Sequence, residues 1–347
     1  MRECRLLNEF QRDFPLVPMP YAVLASALGR TESGVLTSLR RLIDVGLVSR
    51  VGAIFRPGSV GASTLAAMAV PQSRLASVAR SVSAHAGVNH NYEREHRFNL
   101  WFVASAEDRR ALDALLMRIG RDTVMPVIAM PLVTEYHIDL GFDLDSGGRD
   151  AAVASPCSTT SQPSPFAKAV SPAARGASPA LDATQRRIVA ALQEGLALTS
   201  RPYAQLAERA GLPREEGEAR VLSQLRTWCA AGVVKRIGVI VRHRPLGFVA
   251  NAMAVWDVPD ADTDAAGRAL AREAGVTLCY RRARALPAWP YSLYCMIHGR
   301  ERADVDARLD TIVAHARLAR YPHARLFSRT EFKQRGARHF ETAVADG

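Results

Sequence analysis

The sequence predicts an α+β protein built by tandem duplication, in which a winged helix-turn-helix and a ferredoxin-like β-α-β-β-α-β sandwich occur twice. Three observations carry this reading. Ser49-Arg50-Val51-Gly52-Ala53-Ile54-Phe55-Arg56 returns 186 residues later as Lys235-Arg236-Ile237-Gly238-Val239-Ile240-Val241-Arg242. On either side of each copy the apolar pattern passes from helical spacing to alternation in the same order. Between the copies, Asp145 to Pro179 turns to Ser, Pro, Ala and Gly with little to bury, the composition of a flexible linker.

The elements follow in order. In the first half Leu6, Leu7 and Phe10 lie at helical spacing before a break at Pro15, Pro18 and Pro20. Helices are expected at 21–28 and 32–45, the second capped by Thr31, opened by the acid Glu32 and stopped by Gly46. The second half matches at 188–193, 203–210 and about 213–231, ended by Gly232. The repeated octapeptide is expected to form a β-hairpin wing in each half. Strands then fall at 65–70, 88–94, 98–104 and 130–140, with helices at 73–86 and 107–119. The second half repeats this at 248–258, 262–274, 276–283, 291–298, 301–314 and 323–332. The domains are thus 1–60 and 181–246 for the winged helices, 61–144 and 247–340 for the sandwiches, and 145–180 for the linker.

Composition narrows the class. With 347 residues and 48% hydrophobic side chains, the chain has material for more than one core and is not a disordered protein. Its longest apolar runs fall far short of the roughly 20 residues that span a bilayer, and Met1-Arg2-Glu3-Cys4-Arg5 leads into no signal-peptide core, so a cytoplasmic protein without a membrane partner is expected. The five cysteines are scattered and odd in number, which suggests reduced thiols and neither a disulfide framework nor a cysteine metal site. The net charge of +11 is uneven: residues 181–347 hold 26 Lys and Arg against 18 Asp and Glu, residues 1–144 only 16 against 14. The second half wants an anion, either nucleic-acid phosphate or a polycarboxylate.

Two stretches carry chemistry. His90-Asn91-Tyr92-Glu93-Arg94-Glu95-His96, followed by Phe98-Asn99-Leu100-Trp101-Phe102, stands on the second and third strands of the first sandwich. Its counterpart is Leu278-Cys279-Tyr280-Arg281-Arg282, followed by Trp289-Pro290-Tyr291 and the run to His298-Gly299. Side chains alternate across a strand, so His90, Tyr92 and Arg94 share one face, with His96 continuing the series, as do Tyr280 and Arg282 in the copy. Arginine supplies a planar fork that grips a carboxylate through two charge-assisted hydrogen bonds.

The winged helix followed by a ferredoxin-like domain resembles the Lrp/AsnC regulators, twice in series over nearly the whole chain. The two stretches narrow the resemblance to the siroheme decarboxylases, the first half looking like the D-type subunits and the second like the L-type, as in the fused NirDL form; the Ahb decarboxylases are related. The resemblance implies oxygen-independent removal of the C12 and C18 acetate carboxyl groups of siroheme, giving 12,18-didecarboxysiroheme for haem d1 biosynthesis. No cofactor is then required, since siroheme brings its own iron and its own electron sink.

Loss of carbon dioxide leaves electrons on the exocyclic carbon, and an acid must deliver a proton. The expected catalytic residues are His90 with Tyr92, His96 and Tyr280. His90 or His96 can instead be an axial ligand of the substrate iron, and the protein holds no metal of its own. Arg94, Arg281, Arg282 and His298 are expected to bind the substrate, with Trp101, Trp289 and Tyr291 over the macrocycle face; Trp289 and Tyr291 stand evenly between that role and core packing. Arg50 and Arg236, at the start of the wings, are as suited to solvent as to ligand. The copy carries Leu278 where the first half has His90, so chemistry is expected at one site with the second half lending groups across the interface.

The alternatives are a DNA-binding regulator or a tetrapyrrole carrier without turnover. Against DNA, the recognition helices open on Glu32 and on Glu215, Glu216 and Glu218, carboxylates that oppose phosphate, and the second is about four residues longer. The duplication predicts an intramolecular pseudo-dimer and leaves further homodimerisation open.

Overall fold

Each half begins with three helices that pack into one core shared by both. The computed structural model describes residues 2–138, 181–242 and 244–340, so the expected linker and His243 lie outside the described residues. The helices are α1 (Arg2–Glu9), α2 (Pro20–Ala27) and α3 (Glu32–Asp44) in the first half. Those of the second are α6 (Ala183–Gln193), α7 (Pro202–Arg209) and α8 (Arg214–Ala230). Thr31 caps α3 by accepting from Gly34 N at 3.2 Å, as expected. Helix α8 has 17 residues against 13 for α3, the four extra that the offset of the repeats implies. Leu6, Tyr21 and Leu39 are buried in the same cluster as Ile188, Tyr203 and Leu225. The joint is nearly twofold: Tyr21 donates to Ala197 O and Tyr203 to Pro15 O, while Arg40 donates to Leu198 O and Arg226 to Leu16 O.

The wings differ from expectation. Neither half forms its own hairpin; β1 (Val48–Phe55) pairs antiparallel with β6 (Val234–Val241), with Gly52 opposite Gly238. The loops supply the reason, because they satisfy the outer edges that a hairpin partner would otherwise fill. Val239 N donates to Phe10 O, Phe14 N to Ile237 O and Leu196 N to Val51 O. A side chain on Gly238 would meet Gln11 O at 2.2 Å, so only glycine admits the loop so close.

The sandwiches follow the expected order. The first contains β2 (Ala62–Met68), α4 (Leu75–Ala84), β3 (Val88–Arg94), β4 (Leu100–Ala106), α5 (Arg109–Thr123) and β5 (Ile128–Ile138). The second contains β7 (Ala250–Trp256), α9 (Asp260–Leu270), β8 (Val276–Arg282), β9 (Leu293–Gly299), α10 (Arg302–His315) and β10 (His323–Gln334). The two sheets do not merely stack: β5 pairs with β8 and β10 with β3, which closes all eight strands into one barrel in the order β10-β3-β4-β2-β5-β8-β9-β7. The helices cover the outside through separate apolar clusters, and the inward faces of both halves meet in the space the strands enclose. No helix of the described residues is long and apolar enough to cross a membrane.

Candidate active site

A cavity of about 430 Å³ occupies this space, walled by β3 and β4 of the first half and β8 and β9 of the second. Its roof is the β1–β6 ribbon together with the strap that follows β10, from Arg335 to His339. The strap is tied down by Gln193: its Nε2 donates to Phe340 O at 3.0 Å, and its Oε1 accepts from Phe340 N at 3.1 Å and from His339 N.

Alternation along β3 turns His90, Tyr92 and Arg94 to the cavity. Asn91, between them, points the other way and donates to Ala79 O and Ser83 Oγ of α4, both at 3.0 Å. The His90 and Tyr92 rings lie parallel with centroids 6.2 Å apart. Burial, reinforced by the nearby Arg50 guanidinium, pushes His90 down to about 4, so its imidazole is neutral at pH 7. Burial also raises Tyr92, aided by Glu331, which accepts its hydroxyl hydrogen bond from the facing strand. Glu331 in turn pairs with Arg244 at 3.6 Å. Arg94 is 7% exposed and donates to Leu326 O at 3.0 Å; burial brings it down to about 10.

The second half repeats this construction with changed groups. Tyr280 is raised by burial and faces Glu135 across the β5–β8 pair, and Glu135 pairs with Lys235. Arg282 donates to Met130 O at 3.1 Å and lies 5.1 Å from the centroid of the Tyr280 ring. Leu278 lines the cavity where the first half presents His90. Trp101 stands opposite Tyr92, and Tyr294 opposite Tyr280. His298 also lines the cavity, with Nδ1 2.9 Å from Thr277 Oγ1. The same hydroxyl lies 3.0 Å from Met296 O.

Seven of the eleven expected site residues therefore meet: His90, Tyr92, Arg94, Trp101, Tyr280, Arg282 and His298. The other four are placed outside the cavity lining. His96 lies beyond the end of β3, where the chain has turned and the alternation no longer holds; its Nδ1 accepts from Phe98 N at 3.0 Å. Arg281 is one residue out of phase with Tyr280 and Arg282, so it faces α9 and pairs with Asp260 at 3.0 Å and Asp264 at 3.7 Å. Trp289 is 1% exposed and packs edge-on against Trp101, His96 and Tyr291. It donates to Tyr294 Oη at 2.6 Å and props that wall from behind; Tyr291 sits beside it. Of the two readings held for this aromatic pair, core packing is the one the structure displays.

Sequence reading passed over several lining groups. Arg242, Arg335, Gln193, His339 and Tyr294 all reach the cavity, and the half-buried Arg50 and Arg236 line it as well. The glutamates behind the tyrosines were also missed, since each comes from the last strand of the opposite half. The wing arginines were visible in the repeat itself, which conserves arginine at both of its ends in this chain.

The fold and cavity define a class: a tandem Lrp/AsnC-like chain in which two ligand-binding domains have closed around one cavity lined by several arginines. Comparison with known proteins gives the family. The family described as AsnC-like ligand binding domain matches residues 59–137 and 245–333, and that described as siroheme decarboxylase NirDL-like HTH domain matches residues 3–48 and 185–234. A siroheme decarboxylase NirDL subunit of Paracoccus denitrificans is 43% identical over 99% of this chain and 98% of its own length. A crystal structure of the siroheme decarboxylase NirDL superposes with a TM-score of 0.66 at 26% identity, over 98% of this chain and 95% of that one. The same enzyme in complex with an iron-uroporphyrin III analogue gives 0.65, over 98% and 94%. The chain belongs to the siroheme decarboxylase NirDL family.

Proposed function

We propose that this protein removes the C12 and C18 acetate carboxyl groups of siroheme without oxygen, giving 12,18-didecarboxysiroheme for haem d1. The observation that carries the reading is the cavity, where Arg94 and Arg282 from the two halves flank one space together with two tyrosines and His90. The tetrapyrrole complex of the related enzyme supports a macrocyclic substrate in that space. The substrate supplies its own iron and conjugation, so no further cofactor enters the reaction.

The residues divide the work. Arg94, buried, and Arg282, half-buried, hold one backbone carbonyl each, which leaves guanidinium edges for substrate carboxylates. Trp101 and Tyr294 offer aromatic surface to the macrocycle. As carbon dioxide departs, the macrocycle takes up the electron pair and His90 delivers a proton to the exocyclic carbon, with Tyr92 beside it as relay. Burial first and the Arg50 charge second make His90 hold its proton poorly; substrate carboxylates nearby offset Arg50 and favour the protonated imidazole directly, which moves it back toward its ordinary range. Tyr280, on the wall where Leu278 takes the place of His90, assists the same site from the opposite side. The protein acts as an intramolecular pseudo-dimer in the cytoplasm, and DNA binding is not its role: Arg40 on α3 and Arg226 on α8 are committed to the opposite half.

Anaerobic incubation of the purified protein with siroheme, followed by mass spectrometry, tests this reading. Successive loss of one and two carbon dioxide units is expected. Tight binding without a mass change would make the protein a carrier or sensor, and retention of DNA without siroheme binding would return it to the regulators.

A further inference from the structure

We propose that Arg50, Arg242 and Arg335 form a carboxylate-binding subsite in the roof of the cavity, which grips peripheral carboxylates of the tetrapyrrole other than those that leave. The inference rests on the tetrapyrrole reading above and deepens it. The three side chains come from three segments, namely β1, the end of the β6 ribbon and the strap after β10, and all line the same cavity. Each has a buried Nε with no hydrogen-bond partner. A buried guanidinium donor left unmatched is costly, and three such arginines lining one cavity mark a place suited to an anion.

The hydrogen-bond acceptors of Arg50 and Arg335 are uncharged. Arg50 Nη2 donates to Ala53 O at 3.4 Å and Arg335 Nη2 to Ala86 O, both neutral carbonyls. The carboxylate that acts on Arg50 and Arg335 is Glu194, and it is already paired with Arg338 at 2.5 Å. One carboxylate among several guanidinium groups leaves the roof positive.

The seat of Arg50 is built from glycine. A Cβ on Gly52 would stand 3.2 Å from its Nε, one on Gly195 3.1 Å from its Cβ, and one on Gly336 2.6 Å from its Cζ. Three segments thus withhold side chains around one arginine, which leaves room for its long side chain close to His90.

The test uses fluorescence titration of the whole protein with two metal-free porphyrins, uroporphyrin III with eight carboxylates and deuteroporphyrin IX with two, at low and high salt. Arg335→Gln and Arg50→Gln are expected to weaken uroporphyrin binding on the order of tenfold at low salt and to flatten its salt dependence, while deuteroporphyrin changes by less than about threefold. Arg50→Lys and Arg335→Lys, which keep the charge and guard against a variant that fails to fold, are expected to recover the salt dependence and part of the affinity. Equal losses for both porphyrins, or none, would overturn the subsite. If the unchanged protein binds neither porphyrin, it is the tetrapyrrole reading that fails.

Discussion

The two walls of the cavity have the same skeleton and different chemistry. Each presents a tyrosine and an arginine two residues apart on the second strand of its sandwich, Tyr92 and Arg94 against Tyr280 and Arg282. Each tyrosine is backed by a glutamate from the other half's last strand, and each glutamate by a cation: Glu331 with Arg244, Glu135 with Lys235. The differences are confined to the groups around that frame. His90 faces Leu278 in role, and Trp101 answers Tyr294. A homodimer could not hold such a difference, because every change would appear twice; fusion lets one wall keep a histidine where the other has a leucine.

Removing the histidine breaks the comparison most severely. His90→Leu makes the first wall like the second, and turnover is expected to fall by about a hundredfold or more with tetrapyrrole binding retained, read by steady-state rates beside a binding titration. The same histidine carries a pH signature. Its pKa falls from an ordinary 6.5 to about 4 on folding, so the unfolded chain binds the extra proton first. Its contribution to stability is complete above pH 6.5 and is lost as pH falls toward 4, an effect of about 1–2 kcal/mol once its partial exposure is discounted. Denaturant melts between pH 7 and 4 are expected to show this loss in the native sequence and a shallower one in His90→Leu.

Smaller effects sharpen the picture. Glu331→Gln is expected to slow turnover about tenfold and Glu135→Gln less, about threefold, because only the first tyrosine adjoins a histidine; kcat measured for the pair decides it. Arg50→Gln removes the positive charge that, after burial, depresses His90. The imidazole resonance is then expected to titrate at higher pH in the empty protein, and an unmoved titration would mean that burial alone sets it.

Much of this was legible because duplication lets the sequence be read against itself. The order of helices and strands followed from two kinds of periodicity, and the repeat tied each element to its copy. Period two also placed His90, Tyr92 and Arg94 on one face correctly, since β3 runs in regular register against β4 from His90 to Glu93, past the irregularity between Val88 and His90. It misplaced His96 where the strand ends and could not say that Arg281, the odd member of Arg281-Arg282, would find Asp260 on α9. Pairings between halves were the larger gap. That β1 takes β6 as partner, that Glu331 reaches Tyr92, and that the strap brings Arg335 over His90 all depend on contacts across more than a hundred residues of chain. Local pattern carries no information on such distances.

The most direct measurement is an anaerobic single turnover of siroheme by His90→Leu beside Arg282→Gln and His298→Ala, with products resolved by mass. If the first wall performs the chemistry, His90→Leu binds siroheme and returns it unchanged, while the second-wall variants still release carbon dioxide, with weaker binding. Full decarboxylation by His90→Leu, together with none by Arg282→Gln or His298→Ala, would move the reaction to the other wall.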